Sequence, residues 1–342
     1  MTVMTYREAI DASVGEAMAG DDRVLLWGED VQLIHRELLT RFGPERVRDT
    51  PISEAAFTYA GVGAAMGGLR PIVEVMLVDF LPVAWSAVVN AAAKFPAFSN
   101  GTWPVPLVIR ARCGGWYSDG GQHEQVLWGS LAGTPGLHVV APSTPADAAG
   151  LMLSAVESDE VVVFLEHKLL AEDFLDYLGG NSRSTVDFGG VVPPAGARGH
   201  VPDPLAPVPL GRAALVREGD DIALISVGVG AHQCLRAAEA LASEGVSASV
   251  LDLRSIAPLD VEAVRTLASR TGRIVVADED YLRGGLSGEI AATVLDAGIP
   301  AQFARVAVET TVPFAPRLEH GALPNPDRIL GAARRLLGLG GP

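Results

Sequence analysis

Two cysteines, Cys113 and Cys234, are all that the 342 residues contain. Two thiols are too few for a disulfide framework, and neither has a second Cys or a His at ligand spacing, which excludes a zinc site built on them. Positive charge is also scarce. With 26 Lys and Arg against 41 Asp and Glu the net charge is −15, which excludes the basic surface that a nucleic-acid partner requires. No run of about eighteen apolar residues marks a membrane span, and Met1 to Glu8 lack the basic start and apolar core of a signal peptide. The expectation is a cytoplasmic protein without nucleic-acid or membrane partners. Aromatics are only 6% and charged residues 20%; a chain dominated by alanine and aliphatics suits a packed α/β protein and not a disordered one. An acidic surface also does nothing to attract a free diphosphate, so the phosphates of any such cofactor would be held elsewhere.

What is present is organised around residues 46–80. Thr50 precedes Pro51 and is pushed to extended geometry, so the chain turns there. Ser53-Glu54 then opens a lean run rich in alanine and glycine that reads as a helix, with Ser53 or Thr50 available as a cap and Glu54 in the first turn. Leu69 to Phe80 is a mostly apolar run of the kind buried on both faces of a parallel sheet. Upstream, Thr5 with Glu8 forms a capping-box pattern before a helix to Met18, and Arg23–Trp27 is a strand ending at Gly28-Glu29-Asp30. Downstream, strands are expected at Val105–Arg110, Leu137–Ala141 and Val161–Leu165, with a helix from Thr144 to Val156 making a right-handed crossover. From Ala171 to Pro209, glycine and proline punctuate a long connection that reads as a surface tether. A second α/β unit follows, with strands near 222, 248 and 272 and helices near 232, 261, 286 and 326. A chain of this length holds two cores, and the expected class is α/β with two open, largely parallel-sheet, three-layer domains.

Four side chains are candidates for chemistry. Glu29 and Glu54 stand where strands of an open parallel sheet deliver their loops; each also reads as an ordinary turn or first-turn acid. Phe80 can present a flat face to a heterocycle or serve the core. His123 closes a loop with four glycines in eight residues, Gly114 to Gly121, and an imidazole there can pass a proton near neutrality or simply order the loop. Gly228-Val-Gly230 is a weak phosphate-loop signal, lacking further glycines and a lysine.

The stretches RVRDTPISEAAF (46–57), GVGAAMGGLRPIVEVM (61–76), DF (79–80), NAAAKF (90–95), VPLVIR (105–110), GQH (121–123), PGLHVVAPSTPADAAGL (135–151), VFLEHKLL (163–170), VPLGRA (208–213), LDLRSIAPLD (251–260) and GRIVVADED (272–280) resemble the beta subunit of the thiamine-diphosphate-dependent decarboxylase component of 2-oxoacid dehydrogenases. That group comprises the pyruvate, branched-chain and acetoin types, and the likeness spans nearly the whole chain. The resemblance implies a transketolase-like pyrimidine-binding domain at 1–180, a linker at 181–207 and a transketolase carboxyl-terminal-like domain at 208–342. It implies that Glu54 hydrogen-bonds the aminopyrimidine of thiamine diphosphate, that Phe80 packs on that ring, that Glu29 adjoins the cofactor, and that His123 serves transfer to a lipoyl acceptor and steadies the 2-oxoacid carboxylate. No Gly-Asp-Gly occurs in the chain. Magnesium and diphosphate are therefore expected mainly on an alpha subunit, in a heterotetramer that also meets a lipoyl-bearing acyltransferase core, and no metal ligand is assigned here. Departures from the family pattern are a short first loop, Leu81–Trp85 in place of polar positions, the bulky Trp116 and Tyr117, expected to narrow the pocket, and residues 155–160, which do not reproduce a potassium site. Half of a split transketolase-like or acetoin-cleaving enzyme is the alternative, and a non-catalytic scaffold a further one.

Overall fold

The computed structural model describes residues 1–171 and 192–339. Its strands are β1 (Thr2–Thr5), β2 (Val24–Gly28), β3 (Val47–Asp49), β4 (Arg70–Leu77), β5 (Leu107–Cys113), β6 (Leu137–Val140), β7 (Val161–His167), β8 (Arg198–Val201), β9 (Ala214–Arg217), β10 (Ile222–Ser226), β11 (Ala248–Asp252), β12 (Ser255–Ala257), β13 (Arg273–Tyr281) and β14 (Gln302–Val308). β1 and β8 form a two-stranded sheet of their own; of the two large sheets, one has the order β12-β6-β7-β5-β4-β2-β3 and the other β14-β13-β10-β11-β9. Both are parallel except for one antiparallel edge strand each, β12 on β6 and β9 on β11. Every residue of β5, β7, β10 and β11 is buried, because helices cover both faces and leave no polar side for the strands to alternate toward. Among the described residues no helix is long and apolar enough to cross a membrane.

Local chemistry accounts for most of these elements. Thr5 and Glu8 make the capping box that starts helix Tyr6–Gly20. Thr144 accepts from the Asp147 N–H to start helix Pro145–Glu157. Helix Glu54–Met66 lies close on its sheet because Gly61 has no side chain: a Cβ there would meet Val73 Cγ2 at 2.6 Å and Leu107 Cδ1 at 3.2 Å. Neither expected cap acts on this helix, since Ser53 occupies the cap position without a side-chain hydrogen bond. The strand expected to run to Phe80 stops at Leu77, and a 3-10 turn, Val78–Ala84, with Pro82 inside it, takes over. Proline cannot donate to a ladder, so pairing is not resumed.

The halves are stitched together by segments that cross between them. β12 comes from the second unit and extends the first unit's sheet. Asp252 accepts from the Ser143 hydroxyl, and the Trp128 indole N–H donates to Asp278 at 2.9 Å. Part of the expected linker, 181–191, lies outside the described residues. The part that follows does not hang free. β8 pairs antiparallel with β1, and Val208 exchanges hydrogen bonds with Gly150 and Ser154 of helix Pro145–Glu157.

Candidate active site

Because β2, β4, β5 and β7 are parallel, their carboxyl ends share one edge, where an open α/β sheet carries its chemistry. Glu29 follows β2 there. Glu54 opens its helix with only 8% of its surface exposed. Burial, then the negative charges of Asp30 and Glu54, push the Glu29 carboxyl above its ordinary range. Glu29 therefore holds its proton to higher pH than a free glutamate.

The turn Val78–Ala84 packs on helix Glu54–Met66 and brings a second pair to the same edge. Phe80 is half-buried, and the His123 ring meets it edge-on, with centroids 5.8 Å apart and planes at 88°. His123 Nδ1 is buried with no partner among the described residues, a state that native structures rarely leave unexplained. The backbone of His123 is held at both ends: its N–H donates to Gly120 O at 3.0 Å, and its carbonyl accepts from Lys168 Nζ. Lys168 is fully buried, with Nζ 4.9 Å from the Tyr117 ring centre. Burial pulls its pKa below the ordinary value, while Glu124, Asp119 and Asp79 act in the opposite sense.

Lys168 and Asp79 escaped sequence reasoning, although both lie within the quoted motifs. Asp79 Oδ1 accepts from the Gln125 backbone and side-chain amides at 3.2 and 2.9 Å, and burial raises its pKa. A lysine in a strand-end motif signals nothing until its burial is known. Trp116 and Tyr117, the bulky loop residues, pack into the interior. Both are buried, Trp116 against His320 of the second unit and Tyr117 beneath Lys168. Leu81 and Ala84 are likewise interior, so that of the Leu81–Trp85 stretch Val83, 63% exposed, is the prominent surface residue. At the end of helix Pro145–Glu157, the carbonyls of Val156 and Ser158 accept from Arg70 Nη1, each at 2.9 Å. A guanidinium satisfies these acceptors. A cavity of about 900 Å³ lies between β1 and helices Tyr6–Gly20 and Arg36–Phe42, and none of Glu29, Glu54, Phe80 or His123 lines it. Among the described residues no group of three or more His, Cys, Asp or Glu is placed to hold a metal ion.

Comparison with known proteins agrees with this architecture. The transketolase pyrimidine binding domain family matches residues 2–172, and the transketolase C-terminal domain family matches residues 211–329. The 2-oxoisovalerate dehydrogenase subunit beta of Bacillus subtilis is 37% identical over 98% of this chain and 99% of its own length. The acetoin:2,6-dichlorophenolindophenol oxidoreductase subunit beta of the same organism is 36% identical, with 98% of each chain covered. The Arabidopsis thaliana mitochondrial pyruvate dehydrogenase E1 component subunit beta-1 is 36% identical over 97% of this chain and 89% of its own. A solved split-gene transketolase, an inactive beta4 tetramer, superposes with a TM-score of 0.77 over 98% of this chain and 99% of its own; at 21% identity it speaks for the fold alone. With the transketolase-type domains in order and relatives aligned from end to end, the chain belongs to the family of E1 beta subunits of 2-oxoacid dehydrogenases.

Proposed function

We propose that the chain is the beta half of a thiamine-diphosphate-dependent 2-oxoacid dehydrogenase, working in the cytoplasm in a heterotetramer with an alpha subunit and passing the acyl unit to a lipoyl-bearing acyltransferase core. The observation that carries this reading is Glu54: a nearly buried acid at the start of its helix, beside Glu29 and on the same sheet edge as Phe80 and His123. A lone acid at the start of a helix of small residues suits one ring nitrogen of an aminopyrimidine. In this role Glu54 holds a proton at that nitrogen, Glu29 adjoins it, and the Phe80 face excludes water from the ring. Bound thiamine diphosphate supplies a thiazolium that accepts the electrons of the breaking carbon–carbon bond. His123 then delivers or receives a proton at the acceptor sulfur.

The diphosphate and its magnesium are assigned mainly to the alpha subunit. That division is supported by the absence of Gly-Asp-Gly and by the charge of −15. It is also supported by Ile52, Tyr59 and Val83, which are 73%, 46% and 63% exposed next to Glu54 and its helix; large apolar groups left in water beside a site fit a partner surface. The test is co-expression with the alpha-type subunit, followed by thiamine-diphosphate binding and carbon dioxide release from a panel of 2-oxoacids with an artificial electron acceptor. Glu54→Gln is expected to lower turnover at least about 100-fold with an unchanged circular-dichroism spectrum; normal turnover in the folded variant overturns the assignment. The acetoin relative supports a second reading, cleavage of acetoin by the same site, for which cofactor binding without carbon dioxide release and with acetoin-dependent dye reduction is the diagnostic result.

A further inference from the structure

Every second residue from Gly114 to Gly120 has a positive φ: +93° at Gly114, +77° at Trp116, +57° at Ser118 and +73° at Gly120. Such alternation turns neighbouring backbone N–H groups toward common points and creates concavities that bind anions. Here the anions are the protein's own side chains. Glu279 accepts from Gly115 N at 2.6 Å, Glu124 accepts from Tyr117 N at 2.8 Å and Asp119 N at 3.0 Å, and Glu319 accepts from Ser118 N at 3.1 Å and Ser118 Oγ at 2.9 Å. Trp116 and Ser118 bear side chains in a region where L residues are strained, and such strain persists only where the surroundings over-determine it. Two of the three carboxylates come from the second domain. His123 is the residue this loop delivers, and Glu124, next in the chain and 1% exposed, folds back to hold the loop's middle.

We propose that Glu124 is a positioning residue for His123: together with Glu319 it closes the loop 114–124, seats His123 against Phe80, and makes that seating sensitive to pH above neutrality. The proposal rests on the reading of His123 as the group that serves acyl transfer. Facing Glu124 are Glu319 from helix Pro316–Ala322, Lys168 from the end of β7 and Asp119 from the loop itself. Burial first, and Glu319 second, push the Glu124 carboxyl up to about 8. The closed loop thus retains a proton that an open, solvated loop releases. Closure is strongest below the ordinary value of 4.5 and weakens as pH rises through about 8, where an ionised Glu124 is opposed by its burial first and by Glu319 second, and Lys168 offsets only part of that cost.

The experiment uses the complex with its alpha-type subunit and thiamine diphosphate, as wild type, Glu124→Gln, Glu124→Ala and His123→Ala. It reads amide hydrogen-exchange protection factors of the 114–124 peptides from pH 6 to 9, and the ratio of lipoyl-domain acylation to carbon dioxide release. In the wild type both quantities are expected to fall about tenfold between pH 7 and 9. Glu124→Gln keeps an acceptor oxygen without the charge and is expected to flatten both profiles. Glu124→Ala is expected to lower protection about 10- to 100-fold at every pH and to reduce the acylation ratio through kcat, with KM for the 2-oxoacid little changed. Protection in the wild type that does not vary with pH, or wild-type protection in Glu124→Ala, overturns the proposal. If the loop behaves as described but His123→Ala acylates normally, the role given to His123 is overturned while the clamp on its loop stands.

Discussion

Glu54 and His123 differ in how much of their setting a linear motif conveys. A first-turn acid before a run of small residues announces itself, and the structure adds what matters chemically, its burial to 8% exposure. His123 is legible only as a histidine on a glycine loop. Its neighbours Phe80 and Lys168 come from residues 43 and 45 positions away in the chain, so nothing local indicates that one will meet its ring and the other its carbonyl. Seated this way, His123 bears on transfer more than on decarboxylation. His123→Ala is expected to slow acylation of a lipoyl domain by about 100- to 10,000-fold and carbon dioxide release with an artificial acceptor by much less, as compared in parallel assays. Trp116 and Tyr117 are bulky residues on a glycine loop, and what the linear motif does not convey is that both rings are buried.

Among the elements, β4, β5 and β7 look like plain apolar strands but carry a buried polar cluster. Glu74 accepts from Arg112 Nη1 at 2.8 Å, stands 2.8 Å from His35 Nε2 and 3.3 Å from Arg110 Nη1; Arg110 also pairs with Glu166, and His35 Nδ1 lies 2.9 Å from Asp11. Burial opposes ionisation of Glu74, but Arg110, His35 and Arg112 prevail and hold it well below the carboxylate range. Burial likewise disfavours charge on His35, yet Asp11 and Glu74 raise its pKa. The signs follow by linkage. The Glu74 contribution is present above 4.5 and lost as pH falls through its depressed value, while that of His35 is present below 6.5 and lost as pH rises through its raised value. Removing one partner leaves other charges buried and unpaired, so Glu74→Gln is expected to destabilise the chain by about 3–5 kcal/mol, measured by denaturant unfolding near pH 6. Helix Tyr6–Gly20, which brings Asp11 to this cluster, is far more legible, because Thr5 and Glu8 cap it within four residues of one another.

For the molecule as a whole, the join between the domains also titrates. Asp252 at the end of β11 is buried against Ser143, and burial carries its carboxyl from the ordinary 3.8 up to about 7. The folded chain holds a proton there that the unfolded chain gives up, so this contribution is full below 3.8, declines as pH rises and is gone above about 7. Asp252→Asn is therefore expected to remove part of the fall in Tm between pH 4 and 7, read as the difference between wild-type and variant melting curves. The same join contains β12, which completes the first sheet from the second domain, and Glu279 and Glu319, which hold the loop of His123. By itself the sequence determined the α/β class, the succession of strands and helices, and the motifs carrying Glu29, Glu54, Phe80 and His123. Periodicity, capping and turn chemistry act over a few residues and leave a linear trace. Only the tertiary structure decided that Phe80 sits on a turn, that Trp116 and Tyr117 face inward, and that acids from both domains shape one loop. The inward packing of those rings and the clamping of that loop depend on which side chains meet across long stretches of chain and on the burial that follows, and neither burial nor long-range proximity has a local signature.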